Sequence, residues 1–343
     1  MRPSRCALWG RREPGASATA KRVLVHGARL RGMSRVRLGL LSTAAINGAI
    51  LGARAEDAPF EITAVGSRDG ARAQAFAHEQ GIATAHASYD ALLEDDGIDA
   101  VYIALPNALH HEWTMHALAA GKHVICEKPY TRRPQEADEA HDEADRRGLV
   151  LTEGFMWRHA PQTGLLRELL PRVGELRAVH ATFTGALPRS DDVRWTRDLG
   201  GGALLDLGCY CISAARLVTG DEPDRAHGEA QVQGEVDGSF AGTLRFEHVT
   251  ATFQCSLLAP PVNTIEVIGA DGVLRVPNAF VNPPGVVVLN GEEHRVEAGN
   301  HYRAELDNFC AAIRGEHPAL IGRAEMRGQA RVFDLLLRGN GTD

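Results

Sequence analysis

The amino-acid sequence predicts an α/β protein in two parts. A doubly wound parallel sheet comes first, followed by an α+β domain with an open, mainly antiparallel sheet. Three observations carry this. Strand-like and helix-like segments alternate over the first half, as βαβ units do. In the second half strands follow one another across short turns such as VDGS and GADG. A length of 343 residues also exceeds one compact core, so two domains are expected.

In chain order, the apolar run Val36, Leu38, Leu40, Leu41 reads as the opening strand, and a helix starts at Ile46. Glu61 to Val65 is a second strand, and Ala71 to Gln80 an Ala-rich helix closed by Gly81. Ala83 to Ala85 is an edge strand and Tyr89 begins a helix to Leu93. Asp99 to Leu105 is a buried strand stopped by Pro106. The helix from His110 ends at Gly121, ahead of a strand into Cys126. Pro134 opens a helix over Gln135 to Arg147, and LVLTEGF is one more strand. Right-handed crossovers make residues 33–155 a Rossmann-type unit, with its ligand crevice at the carboxyl ends of the strands.

Residues 156–343 form the second unit. Its strands are Leu176 to Thr184, Ala230 to Val236, Gly242 to Glu247, Thr250 to Leu257 and Thr264 to Ile268, read as consecutive antiparallel neighbours. Helices are expected at Leu204 to Val218, Tyr302 to Ile313 and Ala324 to Leu337. One sheet face is covered by helices and the other is free to meet a partner.

Residues 1–32 stand apart. They hold seven Arg and one Lys against one Glu, so the remainder carries about −14 of the net −7. Arg11-Arg12 lacks the apolar stretch of an export signal, and MSRVRLGLL runs directly into the first strand. Met33 is the expected start, with residues 1–32 a disordered or wrongly included extension. The acidic body argues against nucleic-acid binding, and no continuous apolar run is long enough for a membrane span. The six cysteines include no C-x-x-C pair and read as reduced core thiols of a cytoplasmic protein. No histidine spacing suits a metal.

The first βα turn, 39-GLLSTAAIN-47, sits where a dinucleotide fold carries G-x-G-x-x-G/A, yet those positions are Ser42, Ala44 and Asn47. Ala44 adds one methyl where backbone approaches phosphate. Ser42 makes the turn if its φ stays negative. Asn47 has no evident role. The helix N-terminus is expected to hold pyrophosphate, with Ser42, Thr43, Ala44, Ala45 and Ile46 around it. The next strand ends in Ser67-Arg68, where an NAD-selective domain carries Asp or Glu. A hydroxyl and a guanidinium suit a 2′-phosphate, Arg72 adds charge, and the neighbouring Asp69 opposes it. NADP is therefore favoured over NAD.

At the end of the fifth strand stands 123-HVICEKPYT-131, where Pro129 holds Lys128 extended. Glu127-Lys128-Pro129 together with 200-GGGALLDLGCYCI-212 closely resembles the Gfo/Idh/MocA oxidoreductase family over essentially Arg35 to Leu337. Tyr210, where many members have His, resembles the subgroup of glucose–fructose oxidoreductase, trans-dihydrodiol dehydrogenase and NADP-dependent D-xylose dehydrogenase. GLLSTAAIN and EGFMWRHAPQ resemble it too. The resemblance implies an NAD(P)-dependent dehydrogenase or reductase of a sugar or cyclic diol, of aldose 1-dehydrogenase or trans-dihydrodiol dehydrogenase type. It implies a homodimer or homotetramer through the C-terminal sheet. It sets Glu127, Leu105, Asn107 and His110 against the cofactor, with Trp157 and Arg158 facing the nicotinamide or substrate. Arg194 and Trp195 precede the glycine run and are expected to line the pocket.

Lys128, Tyr210 and Asp206 are the candidate catalytic residues. A free tyrosine, with pKa near 10, is a poor base, and a neighbouring ammonium is expected to lower it. Asp206, four residues before Tyr210, shares its helix face and orients substrate or Lys128. A non-catalytic NADP-binding sugar sensor is the alternative, disfavoured by retention of all three residues. An enzyme cycling two sugars on a tightly held cofactor would need an export signal and N-terminal arm not evident here.

Overall fold

The computed structural model describes residues 35–188, 192–281 and 283–339; the extension 1–32 and the start at Met33 lie outside them. The first sheet contains β1 (Val36–Leu41), β2 (Phe60–Gly66), β3 (Thr84–His86), β4 (Ala100–Ile103), β5 (His123–Glu127) and β6 (Leu151–Gly154). All are parallel, in the order β3-β2-β1-β4-β5-β6. Strand β4 is buried on both faces because helices cover both, which is why it reads as an unbroken apolar run. The order reverses between β1 and β4, opening a crevice at their carboxyl ends.

The helices of this half are α1 (Asn47–Leu51), α2 (Gly70–Gln80), α3 (Tyr89–Leu93), α4 (His110–Ala119) and α5 (Pro134–Arg147). The Asp69 carboxylate caps α2, accepting the Ala71 and Arg72 N–H groups at 2.9 and 3.1 Å.

The second half adds α6 (Pro161–Leu169), α7 (Cys209–Thr219) and an eight-stranded sheet. Its strands are β7 (Leu176–Thr184), β8 (Arg225–Gln233), β9 (Val236–Arg245), β10 (Thr250–Ser256), β11 (Val262–Gly269), β12 (Val273–Pro277), β13 (Val286–Leu289) and β14 (Glu292–Arg295). They lie in the order β14-β13-β12-β11-β7-β10-β9-β8. The pairs are antiparallel except β7–β10, which is parallel. This corrects the expected consecutive antiparallel run: the β8–β9 hairpin sits outside β10, so β10 returns beside β7. The expected strand Ala230 to Val236 spans two strands, because Gly234 turns the chain between β8 and β9.

The expected helix Leu204 to Val218 is also two elements. A π-helical segment, Leu204–Gly208, precedes α7. Arg197–Thr219 is long and apolar enough to cross a membrane by length and composition, but 83% of its most apolar stretch is buried inside the protein. It is a core helix.

Two last helices, α8 (His301–Arg314) and α9 (Arg323–Gly339), tie the halves together. Leu306, Phe309, Cys310 and Ile313 of α8 share one core with Leu38, Leu40, Phe60 and Ile62 of the first sheet. The chain thus returns to complete the N-terminal core, which its order of elements does not reveal. Helix α9 packs on α5 and α7. The five described cysteines are free and buried.

Candidate active site

At the β1/β4 switch point the loops form a cleft of about 380 Å³. Ser42, Thr43 and Ala44 line one side, Ser67, Arg68, Asp69 and Arg72 the second, and Leu105 with Ala104 and Pro106 the third. The sequence thus named most of its wall. Backbone N–H groups of Asn47, Gly48 and Ala49 are used inside the turn. Those of Thr43, Ala45 and Ile46 find no acceptor among the described residues. Free N–H groups at one end and two exposed guanidinium groups at the other fit a molecule with phosphates at both ends. The Asp69 carboxylate caps α2 and keeps its negative charge in the same wall, partly offsetting the two guanidinium groups. Helix α1 is only five residues long, so its dipole contributes less than the sequence suggests. Ser42 departs from expectation outright, with φ +140°.

Across the crevice, Lys128 emerges where β5 ends. Its Nζ donates to the Asp206 carboxylate and to the Asp206 backbone carbonyl, both at 2.9 Å. The same ammonium lies 5.0 Å from the Tyr210 ring centroid. Arg194 approaches the other Asp206 oxygen at 3.3 Å. Lys128, Asp206 and Tyr210 therefore meet. The expected sharing of an α-helical face is replaced by the π segment, which delivers Asp206 and Tyr210 to one ammonium.

The electrostatics separate the three groups. Burial works most strongly against the Lys128 charge, but Asp206 together with Tyr210, Cys209 and Glu127 outweighs it and holds the ammonium well above its ordinary value. Burial likewise raises Asp206, yet Lys128 and Arg194 outweigh it and hold the carboxylate low. The pair is ionised across the neutral range. For Tyr210 burial wins: Lys128 pulls the phenol down, but the net shift is strongly upward. This corrects the expectation of a lowered tyrosine. The ring is packed by Phe155, Phe183 and Phe280 at 4.9, 5.1 and 5.5 Å, and apolar surroundings disfavour a phenolate. Among the described residues its hydroxyl reaches only the Met156 thioether, at 3.5 Å, a weak acceptor.

Other expected residues take different tasks. His110 is 1% exposed, with its ring nitrogens 2.9 and 2.8 Å from the Pro129 and Leu105 carbonyls, so it braces two loops and turns neither nitrogen to the cleft. Asn107 donates to the Gly200 carbonyl at 2.8 Å, joining the halves. Arg158 pairs with Glu325 at 3.0 Å, and Trp157 is fully buried against Phe155 and Phe280. Glu127 accepts the Tyr102 hydroxyl. Trp195 donates to the Pro188 carbonyl at 3.2 Å.

Two residues escaped the sequence reading. Asp237 of β9 accepts the Leu204 N–H at 2.6 Å, holding the start of the π segment, while burial lifts its pKa to about 6. Asp237→Ala should cost about 1–2 kcal/mol in urea unfolding, the scale of a lost helix cap, and Asp237→Asn less. Equal losses would show that the carboxylate oxygen is not the anchor. Glu305 of α8 is 2% exposed, and neither carboxylate oxygen closes a hydrogen bond among the described residues. No local sequence signal marks either one, because each acts across the fold.

Comparison with known proteins agrees with this geometry. Residues 42–155 match the family described as "Oxidoreductase family, NAD-binding Rossmann fold", and residues 166–275 match the "GFO/IDH/MocA C-terminal domain". The chain is 36% identical to D-xylose 1-dehydrogenase (NADP(+)) 2 of Haloferax volcanii over 87% of its length and 95% of the relative's. It is 34% identical to trans-1,2-dihydrobenzene-1,2-diol dehydrogenase of Sus scrofa, over 68% and 71%. A 3-ketoreductase from Actinomadura kijaniata, solved with NADP and TDP-benzene, superposes with a TM-score of 0.82 at 31% identity, covering 89% and 98%. The chain belongs to the Gfo/Idh/MocA family of oxidoreductases.

Proposed function

We propose that the protein is an NADP-dependent oxidoreductase interconverting CH–OH and C=O on a sugar or cyclic diol, of aldose 1-dehydrogenase or trans-dihydrodiol dehydrogenase type. The observation that carries this is the Lys128 ammonium, fixed between the Asp206 carboxylate and the Tyr210 ring directly after the carboxyl end of β5. NADP-dependent relatives acting on a sugar and a keto group support it. The shared family fold alone would not define the reaction.

Ser67, Arg68 and Arg72 would hold the 2′-phosphate, and the free N–H groups of Thr43, Ala45 and Ile46 the pyrophosphate. Bound NADP supplies the acceptor or donor of the hydride. In reduction the neutral Tyr210 phenol gives its proton to the carbonyl oxygen, exchanging the weak Met156 contact for a stronger acceptor. Lys128 then stabilises the phenolate left behind, and Asp206 keeps the ammonium in place. Phe155, Phe183 and Phe280 exclude water from the exchange. In oxidation the same atoms run in reverse, and Lys128 offsets part of the burial that makes tyrosinate costly. The outer face of the eight-stranded sheet, where Val262 is exposed, is where we put the contact of a homo-oligomer.

Initial rates with NADP and NAD test the cofactor assignment. Arg68→Ala should weaken NADP on the order of tenfold, the worth of one charged hydrogen bond, and leave NAD nearly unchanged. Equal losses for both would reject the phosphate role.

A further inference from the structure

The loop between β1 and α1 has lost its glycines, and its backbone still takes a glycine-like shape. Ser42 holds φ +140°, a region in which a Cβ is unfavourable. A serine there must be held by its surroundings. Three hydrogen bonds do so. The Ser42 hydroxyl donates to the Ala104 carbonyl beyond β4 at 2.9 Å and accepts the Ala44 N–H at 3.2 Å. The Ser42 carbonyl accepts the side-chain amide of Asn47 at 2.7 Å. Ser42 is 7% exposed and Asn47 fully buried, so water does not compete for these bonds. Asn47 stands at the third glycine position of the motif, and its carboxamide spans the turn back to the first.

We infer that Ser42 and Asn47 form a side-chain lock that replaces the motif glycines and holds the loop in its cofactor-receiving shape. Both are positioning residues. Asn47 acts through the Ser42 carbonyl, and Ser42 through its own φ and its tie to Ala104. The result is that the N–H groups of Thr43, Ala45 and Ile46 stay unused and available. A glycine at 42 would hold the same φ without help, so the lock is needed only because residue 42 has a side chain. The inference rests on the reading of this cleft as a dinucleotide site and explains how the site tolerates its sequence.

The test is NADPH binding to the full chain, read by quenching of protein fluorescence and by calorimetry, with thermal melting to confirm folding. Asn47→Ala and Asn47→Asp, which remove the donor, should each weaken NADPH at least tenfold while kcat at saturating cofactor stays within about twofold. Ser42→Ala, which keeps the Cβ and loses the hydroxyl, should bind at least tenfold more weakly than Ser42→Gly. Placing Ser42→Gly in the Asn47→Ala background should recover most of the lost affinity. Unchanged affinity in Asn47→Ala, equal affinity of Ser42→Ala and Ser42→Gly, or additive losses in the double variant would each overturn the lock while leaving the cofactor assignment standing. Failure of the parent protein to bind NADPH or NADH would overturn both.

Discussion

Lys128→Ala is expected to lower kcat by about 10³-fold with NADPH affinity nearly intact, and Tyr210→Phe by about 10²-fold or more, the range of a lost acid–base group. Their side effects should differ. Removing the lysine leaves Asp206 buried against Arg194 alone, so Lys128→Ala should also melt earlier. Tyr210→Phe deletes one hydroxyl whose partner is a thioether and keeps the packing on Phe155, Phe183 and Phe280, so its melting should match the parent. That makes it the cleaner probe. The pH profile is a second check. Lys128 is held high and Asp206 low, so neither charge changes between about pH 6 and 9. Tyr210 stays protonated there as well. Reductive kcat should be flat across that window, and undiminished rates in either variant would remove the pair from the chemistry.

Glu305→Gln should change the pH dependence of stability. Burial drives the Glu305 carboxyl well above 4.5, and nearby Glu127 pushes it the same way. The folded protein therefore keeps a proton that the unfolded chain releases near pH 4.5. Stability is lost as pH rises above 4.5, by at most about 1.4 kcal/mol per pH unit from this group, until the folded-state value is passed. Glutamine cannot ionise. Urea unfolding from pH 5 to 8 should show the variant gaining on the parent as pH rises, close to it at pH 5 and clearly more stable at pH 8. Parallel curves would mean that Glu305 is ionised in the folded state.

Much of the first sheet was legible because a parallel sheet buried on both faces leaves apolar runs separated by helices and Gly or Pro stops. The second sheet was less so. Strand β14, Glu292–Arg295, has no apolar alternation, and the β8–β9 turn lies inside a stretch of strand-like composition. The π segment was invisible, since Leu204 to Val218 carries helix-like patterning throughout and the shift appears only where Asp237 holds its start. In the site, Lys128, Asp206 and Tyr210 were readable as motif residues, as were Ser67 and Arg68. Features that the sequence does not carry were collective ones. The Tyr210 shift depends on three phenylalanines from distant elements, His110 on two backbone carbonyls, and Arg158 on Glu325 of α9. Asn47 has no evident role in the sequence, and the conformation of Ser42 gives it a partner.

The measurement that bears most directly on the central claim is turnover at the nicotinamide absorbance band. Purified protein would be mixed with NADP and a panel of pentoses, hexoses and cyclic diols, and in reverse with NADPH and keto-sugars. Steady consumption or formation of NADPH with at least one substrate, slowed by about 10²-fold or more in Tyr210→Phe, is the predicted result. Saturable NADP binding with no turnover in either direction across the panel would contradict it and leave a cofactor-binding sensor.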